Sequence, residues 1–287
     1  MNQIITLELR RWITEQAEAG HRPEAVLEAM KASGWQQDVA RGALDDVLKQ
    51  RLGERAADTA TATAELPAAV ALPEPDLRGA PPSVWAHDRE VRIVMAMNEP
   101  RVVVFADLLD ANECAEIIEL ARQRLERSHT VDLSTGDSEL NAARTSEGMF
   151  FNRAEHPVCA RLEERLAALL HWPVENGEGL QVLRYQPGAE YKPHYDYFDP
   201  AQPGTPTILK RGGQRVASVV IYLNTPLKGG GTTFPDVQLE VAPQRGHAVF
   251  FSYDRPHPST RSLHGGAPVL EGEKWVATKW LRERRFD

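Results

Sequence analysis

Cysteine is almost missing from this chain of 287 residues: Cys114 and Cys159 are the whole complement. Neither has a second Cys near it, so no zinc-type spacing exists, and both read as reduced, structural residues. Long apolar runs are missing as well. None approaches the roughly 18 residues that a bilayer span requires. The opening Met1-Asn-Gln-Ile-Ile-Thr-Leu-Glu-Leu-Arg-Arg-Trp12 has no basic stretch ahead of its apolar residues, so it does not read as a signal peptide. Positive charge is in deficit: the formal net charge is −8. That argues against nucleic acid or an anionic membrane as the main partner. The expectation is a cytoplasmic protein with neither partner. What remains is ordinary: 42% hydrophobic and 26% charged residues, enough for one large domain plus a small one.

Three parts differ in character. In residues 1–52, Leu9, Trp12, Ile13 and Gln16, then Val26, Leu27 and Met30, then Val39, Ala43, Leu44, Val47 and Leu48 recur at helical spacing. Gly20 and Gly34 stand at the breaks, and Pro23 suits a first helical turn. The expectation is a small three-helix module. It loosely resembles ubiquitin-associated-type modules, which implies a docking role toward a protein partner; a packed appendage is the plain alternative. Residues 53–83 are rich in Ala, Thr, Pro and Glu and read as a linker.

From residue 84 to 287 a larger α+β domain is expected. Arg101–Phe105 reads as a short buried strand, and Asp110-x-x-Glu113 as a capping box opening a helix with Cys114, Ile117, Ile118, Ala121 and Leu125 on one face. A second amphipathic helix carries Val158, Leu162, Leu166, Leu169 and Leu170. After residue 179 strands dominate: Leu180–Tyr185, Glu190–Tyr197, Val216–Leu223, Val237–Val241, Ala248–Ser252 and Lys274–Leu281, punctuated by Gly and Pro turns. That spacing predicts a double-sheet jelly roll or barrel flanked by the helices.

Within Glu190-Tyr-Lys-Pro-His-Tyr-Asp196, His194 and Asp196 form a His-x-Asp pair. On a strand, residues i and i+2 share a face, so an imidazole and a carboxylate converge. A second His would complete a 2-His-1-carboxylate set suited to Fe(II). His247, His257 and His264 are the candidates. An iron oxygenase of this type also needs a cation for the far carboxylate of 2-oxoglutarate. Ten residues beyond His264 stands Lys274, inside a predicted strand; the same step from His257 reaches Ala267, and from His247 reaches His257. Of the three, His264 alone has both partners. The plain alternative for Lys274 is a snorkelling surface lysine.

Tyr185-Gln-Pro-Gly-Ala-Glu-Tyr-Lys-Pro-His194-Tyr-Asp196, Gly229-Gly-Gly-Thr232-Thr-Phe-Pro235, and Arg261-Ser-Leu-His264-Gly-Gly with Gly272-Glu-Lys274-Trp-x-x-Thr-Lys-Trp280 together resemble the prolyl 4-hydroxylase family. The likeness covers residues 100–283 and implies a double-stranded β-helix. The implied enzyme uses Fe(II), 2-oxoglutarate and O2, with L-ascorbate as reductant, and releases succinate and CO2. His194, Asp196 and His264 would bind iron and carry the catalysis. Lys274 would pair with 2-oxoglutarate, with Tyr185 and Thr232 lining the same pocket. Arg215 and Trp280 match positions near the substrate, and Arg144 borders a segment, 129–143, that matches a mobile substrate loop. The implied substrate is peptidyl-proline. Arg282 departs from the pattern, standing where peptide-binding relatives can carry His. Hydroxylation of a free amino acid or small metabolite is the alternative within the class. A non-catalytic, cupin-like metal-binding protein is the alternative outside it, and Lys274 speaks against it.

Overall fold

The structure, a computed structural model, describes residues 5, 9, 12–14, 16, 23–47, 66–127, 129–131, 138–140 and 145–287. The chain divides into two compact units, Met1–Leu66 and Pro67–Asp287.

In the first unit, residues 12–14 and 37–47 are helical on either side of helix α1 (Pro23–Ala32). Pro23 begins α1, where its missing N–H is no loss. Gly34, at φ +91°, lets the chain leave it: Trp35 N–H donates to Met30 O at 3.2 Å across the closing turn. Ile13, Val26, Met30, Ala40, Ala43, Leu44 and Val47 share one core, with Ala40 buried there in place of the Val39 that the helical spacing suggests. Gly20, Leu48 and the linker stretch 53–65 lie outside the described residues.

The second unit begins earlier than the expected residue 84. Residues 67–82 are not linker: Val70 N–H donates to Asp254 O and Glu74 N–H to Leu170 O, both at 2.9 Å. Leu72 and Leu77 pack on the main core, and Arg101 forms an ion pair with Glu74. Pro and Ala are poor guides here, because two well-placed leucines suffice to tie an extended strap down.

A nine-stranded sheet follows, in the order β1-β2-β3-β14-β10-β17-β8-β7-β4. Its members are β1 (Ser83–Ala86), β2 (Arg89–Met97), β3 (Arg101–Ala106), β4 (Glu126–Arg127), β7 (Glu147–Phe151), β8 (Leu180–Tyr185), β10 (Arg215–Tyr222), β14 (Ala248–Ser252) and β17 (Lys274–Arg282). A four-stranded sheet runs β13-β12-β15-β9, from β9 (Tyr191–His194), β12 (Thr232–Phe234), β13 (Leu239–Val241) and β15 (His264–Gly266). Two short ribbons pair β5 (His129–Val131) with β6 (Ser138–Leu140), and β11 (Lys228–Gly229) with β16 (Val269–Glu271). Every pairing is antiparallel.

Helices α2 (Ala111–Arg122) and α3 (Pro157–Leu170) cover one face of the large sheet. The capping box predicted for α2 is present: the Asp110 carboxylate accepts from Asn112 and Glu113 N–H, and Glu113 accepts from Asp110 N–H. Strand alternation then sorts side chains by layer. On β17, Trp275, Ala277 and Leu281 meet the helices, while Lys274, Val276, Thr278 and Trp280 face a pocket. On β10, Ala217, Val219 and Ile221 go to the helices and Val220 to the pocket. The central strands are buried on both faces, so they read as continuous apolar runs.

Two expected strands differ. Val237–Val241 is a 3-10 turn (Pro235–Val237) and then β13, with left-handed Gln238 between them at φ 53°. The Glu190–Tyr197 strand stops at His194. No helix among the described residues is long and apolar enough to cross a membrane.

Candidate active site

The pocket lies between the sheets and is lined by β8, β10 and β17 on one side and β9, β12 and β15 on the other. His194 ends β9 and His264 starts β15, and the register sets them directly opposite each other. Asp196 stands beyond the end of β9, so it reaches the site from a bend rather than from the same strand face. His194, Asp196 and His264 offer ligand atoms all within 4.8 Å of one another. His264 Nε2 is 3.4 Å from Asp196 Oδ2, and His194 Nε2 is 3.6 Å from Asp196 Oδ1.

The imidazoles are oriented for metal. His194 Nδ1 lies 2.9 Å from Lys192 O, and His264 Nδ1 lies 2.9 Å from Ser262 O. A ring N–H given to a carbonyl leaves Nε2 with its lone pair toward the cluster. Burial and the neighbouring His264 push the His194 pKa down, against the pull of Asp196, which favours the neutral, ligating form. Burial works to raise the Asp196 pKa, but the imidazoles of His264 and His194 beside it hold the carboxyl well below the usual range. Two neutral nitrogens and one carboxylate can hold an Fe(II) ion. The competing histidines are employed elsewhere: His257 Nδ1 accepts from Ser259 N–H at 3.1 Å, capping a 3-10 turn, and His247 is near Asp107 and Arg92.

Lys274 enters the same pocket from β17, directly opposite Tyr185 on β8. It is 4% exposed, not a snorkelling surface lysine. Its ammonium has no hydrogen bond or ion pair with a described residue; its near neighbours are the Tyr185 and Tyr222 rings, 5.3 and 5.7 Å away. Burial pushes its pKa down to about 8, with Glu240 pulling weakly the other way. A buried cation without a protein partner marks a place for an anion. Gly230 and Gly266 make room beside it: a Cβ at Gly230 would come within 3.1 Å of the lysine stem, and one at Gly266 within 3.8 Å of Nζ. Thr232 lines this end too, and its hydroxyl accepts from Tyr222 Oη at 2.7 Å. Cation, hydroxyls and the His194–Asp196–His264 cluster thus share one cavity, which could hold an anion at Lys274 beside a metal ion.

At the other end, Arg215 stacks on Trp280 with its Cζ 4.0 Å from the ring centroid. Its Nε and Nη2 bind Glu178 at 2.6 and 2.9 Å, leaving Nη1 3.5 Å from Asp196 O. Arg282, the departure noted in the sequence, is buried and tied to Glu178 Oε1 at 2.7 Å and Gly213 O at 2.6 Å. It braces Glu178. The buried Trp280 Nε1 has no hydrogen-bond partner among the described residues. Arg144 lies outside the described residues, as does most of 129–143. Its neighbour Thr145 is tied beside β9, accepting from Glu190 N–H at 3.0 Å.

Sequence reasoning passed over Ser218, Tyr222, Tyr253 and Glu178. Strand parity could have found two of them: Ser218 and Tyr222 share the pocket face of β10 with Val220. Glu178 and Tyr253 precede or follow strands and carry no such signal.

A family model described as the 2OG-Fe(II) oxygenase superfamily matches residues 180–282. Prolyl 4-hydroxylase 1 of Arabidopsis thaliana is 40% identical over 227 residues, covering 70% of this chain and 78% of that protein. Prolyl 4-hydroxylase 2 of the same plant is 37% identical over 219 residues, covering 68% of this chain and 72% of that one. A crystal structure of a viral collagen prolyl hydroxylase from Paramecium Bursaria Chlorella virus-1, in a 2OG complex, is 28% identical with a TM-score of 0.49, covering 63% of this chain and 95% of that one.

Proposed function

Because the chain belongs to the prolyl 4-hydroxylase family of 2-oxoglutarate- and Fe(II)-dependent oxygenases, we propose that it hydroxylates a prolyl residue of a polypeptide. It is a dioxygenase that uses Fe(II), 2-oxoglutarate and O2 and releases succinate and CO2. The observation that carries the reading is Lys274, a buried ammonium with no hydrogen bond or ion pair among the described residues, in the pocket that holds the His194–Asp196–His264 cluster.

In this reading His194 Nε2, His264 Nε2 and one Asp196 oxygen hold the iron. Lys274 pairs with the distal carboxylate of 2-oxoglutarate, with Tyr185 and Thr232 beside it. Bound there, the metal and its cosubstrate supply the oxidising chemistry that places a hydroxyl on carbon. The chain's own work is positioning. Leu183, Val220 and Val276 line the cavity with apolar surface and exclude water from the carboxylate–ammonium pair. Arg215 Nη1 and the Trp280 indole stand at the substrate side, and Arg144 is proposed to join them. L-ascorbate is the expected reductant. The two sheets are read as the double-stranded β-helix of the family, and residues 1–52, with their separate core, as a docking module for a protein partner. The proposed setting is the cytoplasm, in keeping with two free, buried cysteines.

The test is a succinate-release assay of the Fe(II)-loaded full chain with 2-oxoglutarate and L-ascorbate. Proline-containing peptides and free amino acids are compared, and peptides are checked by mass for one added oxygen. Peptide-dependent succinate with oxygen in the proline is the expected result. Stimulation by free amino acids alone would replace the substrate; no succinate under any condition would favour the non-catalytic reading.

A further inference from the structure

The carboxylate of Asp196 carries a hydrogen-bond chain that leads away from the pocket. Ser218 Oγ lies 2.6 Å from Asp196 Oδ2, and Tyr253 Oη lies 3.1 Å from Ser218 Oγ. Ser218 is 0% exposed and Tyr253 2%, so water cannot substitute for either partner. The donor order follows from chemistry. An ionised carboxylate only accepts, so Ser218 must donate to Oδ2. Its one proton is then spent, so Oγ accepts from Tyr253, whose phenol burial keeps protonated. Ser218 is also the one polar residue in Val216-Ala-Ser-Val-Val-Ile221, an interior strand segment where a small apolar residue would pack as well.

We infer that Ser218 and Tyr253 are positioning residues that hold Asp196 as a one-oxygen metal ligand by occupying Oδ2. This rests on the reading of Asp196 as an iron ligand. Oδ2 also lies 3.4 Å from His264 Nε2, so once freed from Ser218 it could turn onto the ion and make the carboxylate bidentate. That would fill a coordination position that a chelating 2-oxoacid and O2 need. Tyr253 fixes the Ser218 rotor so that its proton points one way. The serine therefore protects open coordination sites as well as adding affinity. Partners of ligands typically change metal affinity by about 10–100-fold when removed.

The experiment titrates the full chain anaerobically with Co(II), whose visible absorption reports coordination number. The variants are Ser218→Ala, Tyr253→Phe and Asp196→Ala, each checked for thermal unfolding. Ser218→Ala is expected to bind Co(II) about 10–100-fold more weakly. Its visible bands should then change less when 2-oxoglutarate is added, because a second Asp196 oxygen competes with the 2-oxoacid for the same position. Tyr253→Phe keeps the ring and should move both readouts the same way by less. If Ser218→Ala fails to fold, Tyr253→Phe decides alone. Wild-type affinity and spectrum in the folded variants, alongside lost binding in Asp196→Ala, would overturn the positioning role and leave the metal site standing. Wild-type affinity in Asp196→Ala would overturn the ligand reading itself, and this inference with it.

Discussion

His194 and His264 are cross-strand partners, the last residue of β9 facing the first residue of β15. Both Nδ1 atoms are engaged with carbonyls two residues back in their own chain. The pair is therefore built by sheet register and locked by local backbone. His194→Ala, Asp196→Ala and His264→Ala should each weaken Fe(II) by more than about 100-fold, a larger effect than loss of a supporting partner. His247→Ala and His257→Ala should retain wild-type iron. Metal analysis of the five purified variants decides; iron lost with His257 and kept without His264 would reverse the assignment.

Lys274 gives a prediction in two parts. Removing one member of a buried ion pair costs about 3–5 kcal/mol, so Lys274→Ala should weaken 2-oxoglutarate by two to three orders of magnitude. Iron should still bind, and Lys274→Arg should recover part of the loss, because the forked guanidinium is larger. In the ligand-free protein the ammonium titrates at about 8. A dicarboxylate needs the charged form and raises that pKa on binding. Affinity should therefore be level below about pH 8 and fall above it, by up to tenfold per unit. Anaerobic titrations with Mn(II) in place of Fe(II), from about pH 6.5 to 9, read this directly. A pH-independent affinity, or an unchanged alanine variant, would place the anchor elsewhere.

The cluster was legible in sequence because its chemistry is rare and its spacing tight: His-x-Asp, then His264 with Lys274 ten residues on. The strand rationale for Asp196 was less accurate. Pro193 takes a ladder donor from β9, which ends at His194, and Asp196 then turns inward to meet Ser218. β15 is His-Gly-Gly, without periodicity to read; a Cβ at Gly265 would sit 3.0 Å from Tyr191 O, so the glycine answers to a neighbour that only the fold reveals. The helices were easier, since α2 and α3 show their apolar stripes and α2 its capping box. β1 and β2 escaped notice because their burial is patchy at the sheet edge, with Trp85 and Val94 exposed.

The strap at 67–82 sets where the second unit can be cut. A chain starting at residue 67 should keep wild-type unfolding temperature and 2-oxoglutarate turnover. One starting at 84 loses Leu72, Leu77 and the two backbone hydrogen bonds to Asp254 and Leu170. Two partly buried leucines contribute on the order of 1–2 kcal/mol each. At about 2–4 °C per kcal/mol for a unit of this size, the shorter chain should melt roughly 5–15 °C lower. Equal melting temperatures would show that the strap rests on the domain without stabilising it.

Lys279 and Glu163 form a buried pair on the helix side of β17, 2.5 Å apart, with 3% and 1% of the side chains exposed. Lys279 alternates with Thr278 and Trp280, so it points away from the pocket and has no part in the chemistry. Burial pushes its pKa down, and Glu163 opposes that shift. Glu163 also accepts from Ala154 N–H at 2.8 Å. Glu163→Leu alone strands the ammonium and should cost about 3–5 kcal/mol. That corresponds to a melting temperature roughly 6–20 °C lower. Glu163→Leu with Lys279→Met removes both charges and leaves only the Ala154 N–H orphaned, a loss of about 1–3 kcal/mol. The double variant should therefore be more stable than the single one, with 2-oxoglutarate affinity unchanged in both. Calorimetry of the three proteins checks it. A double variant as unstable as Glu163→Leu would mean that packing around Lys279, rather than its unpaired charge, sets the loss.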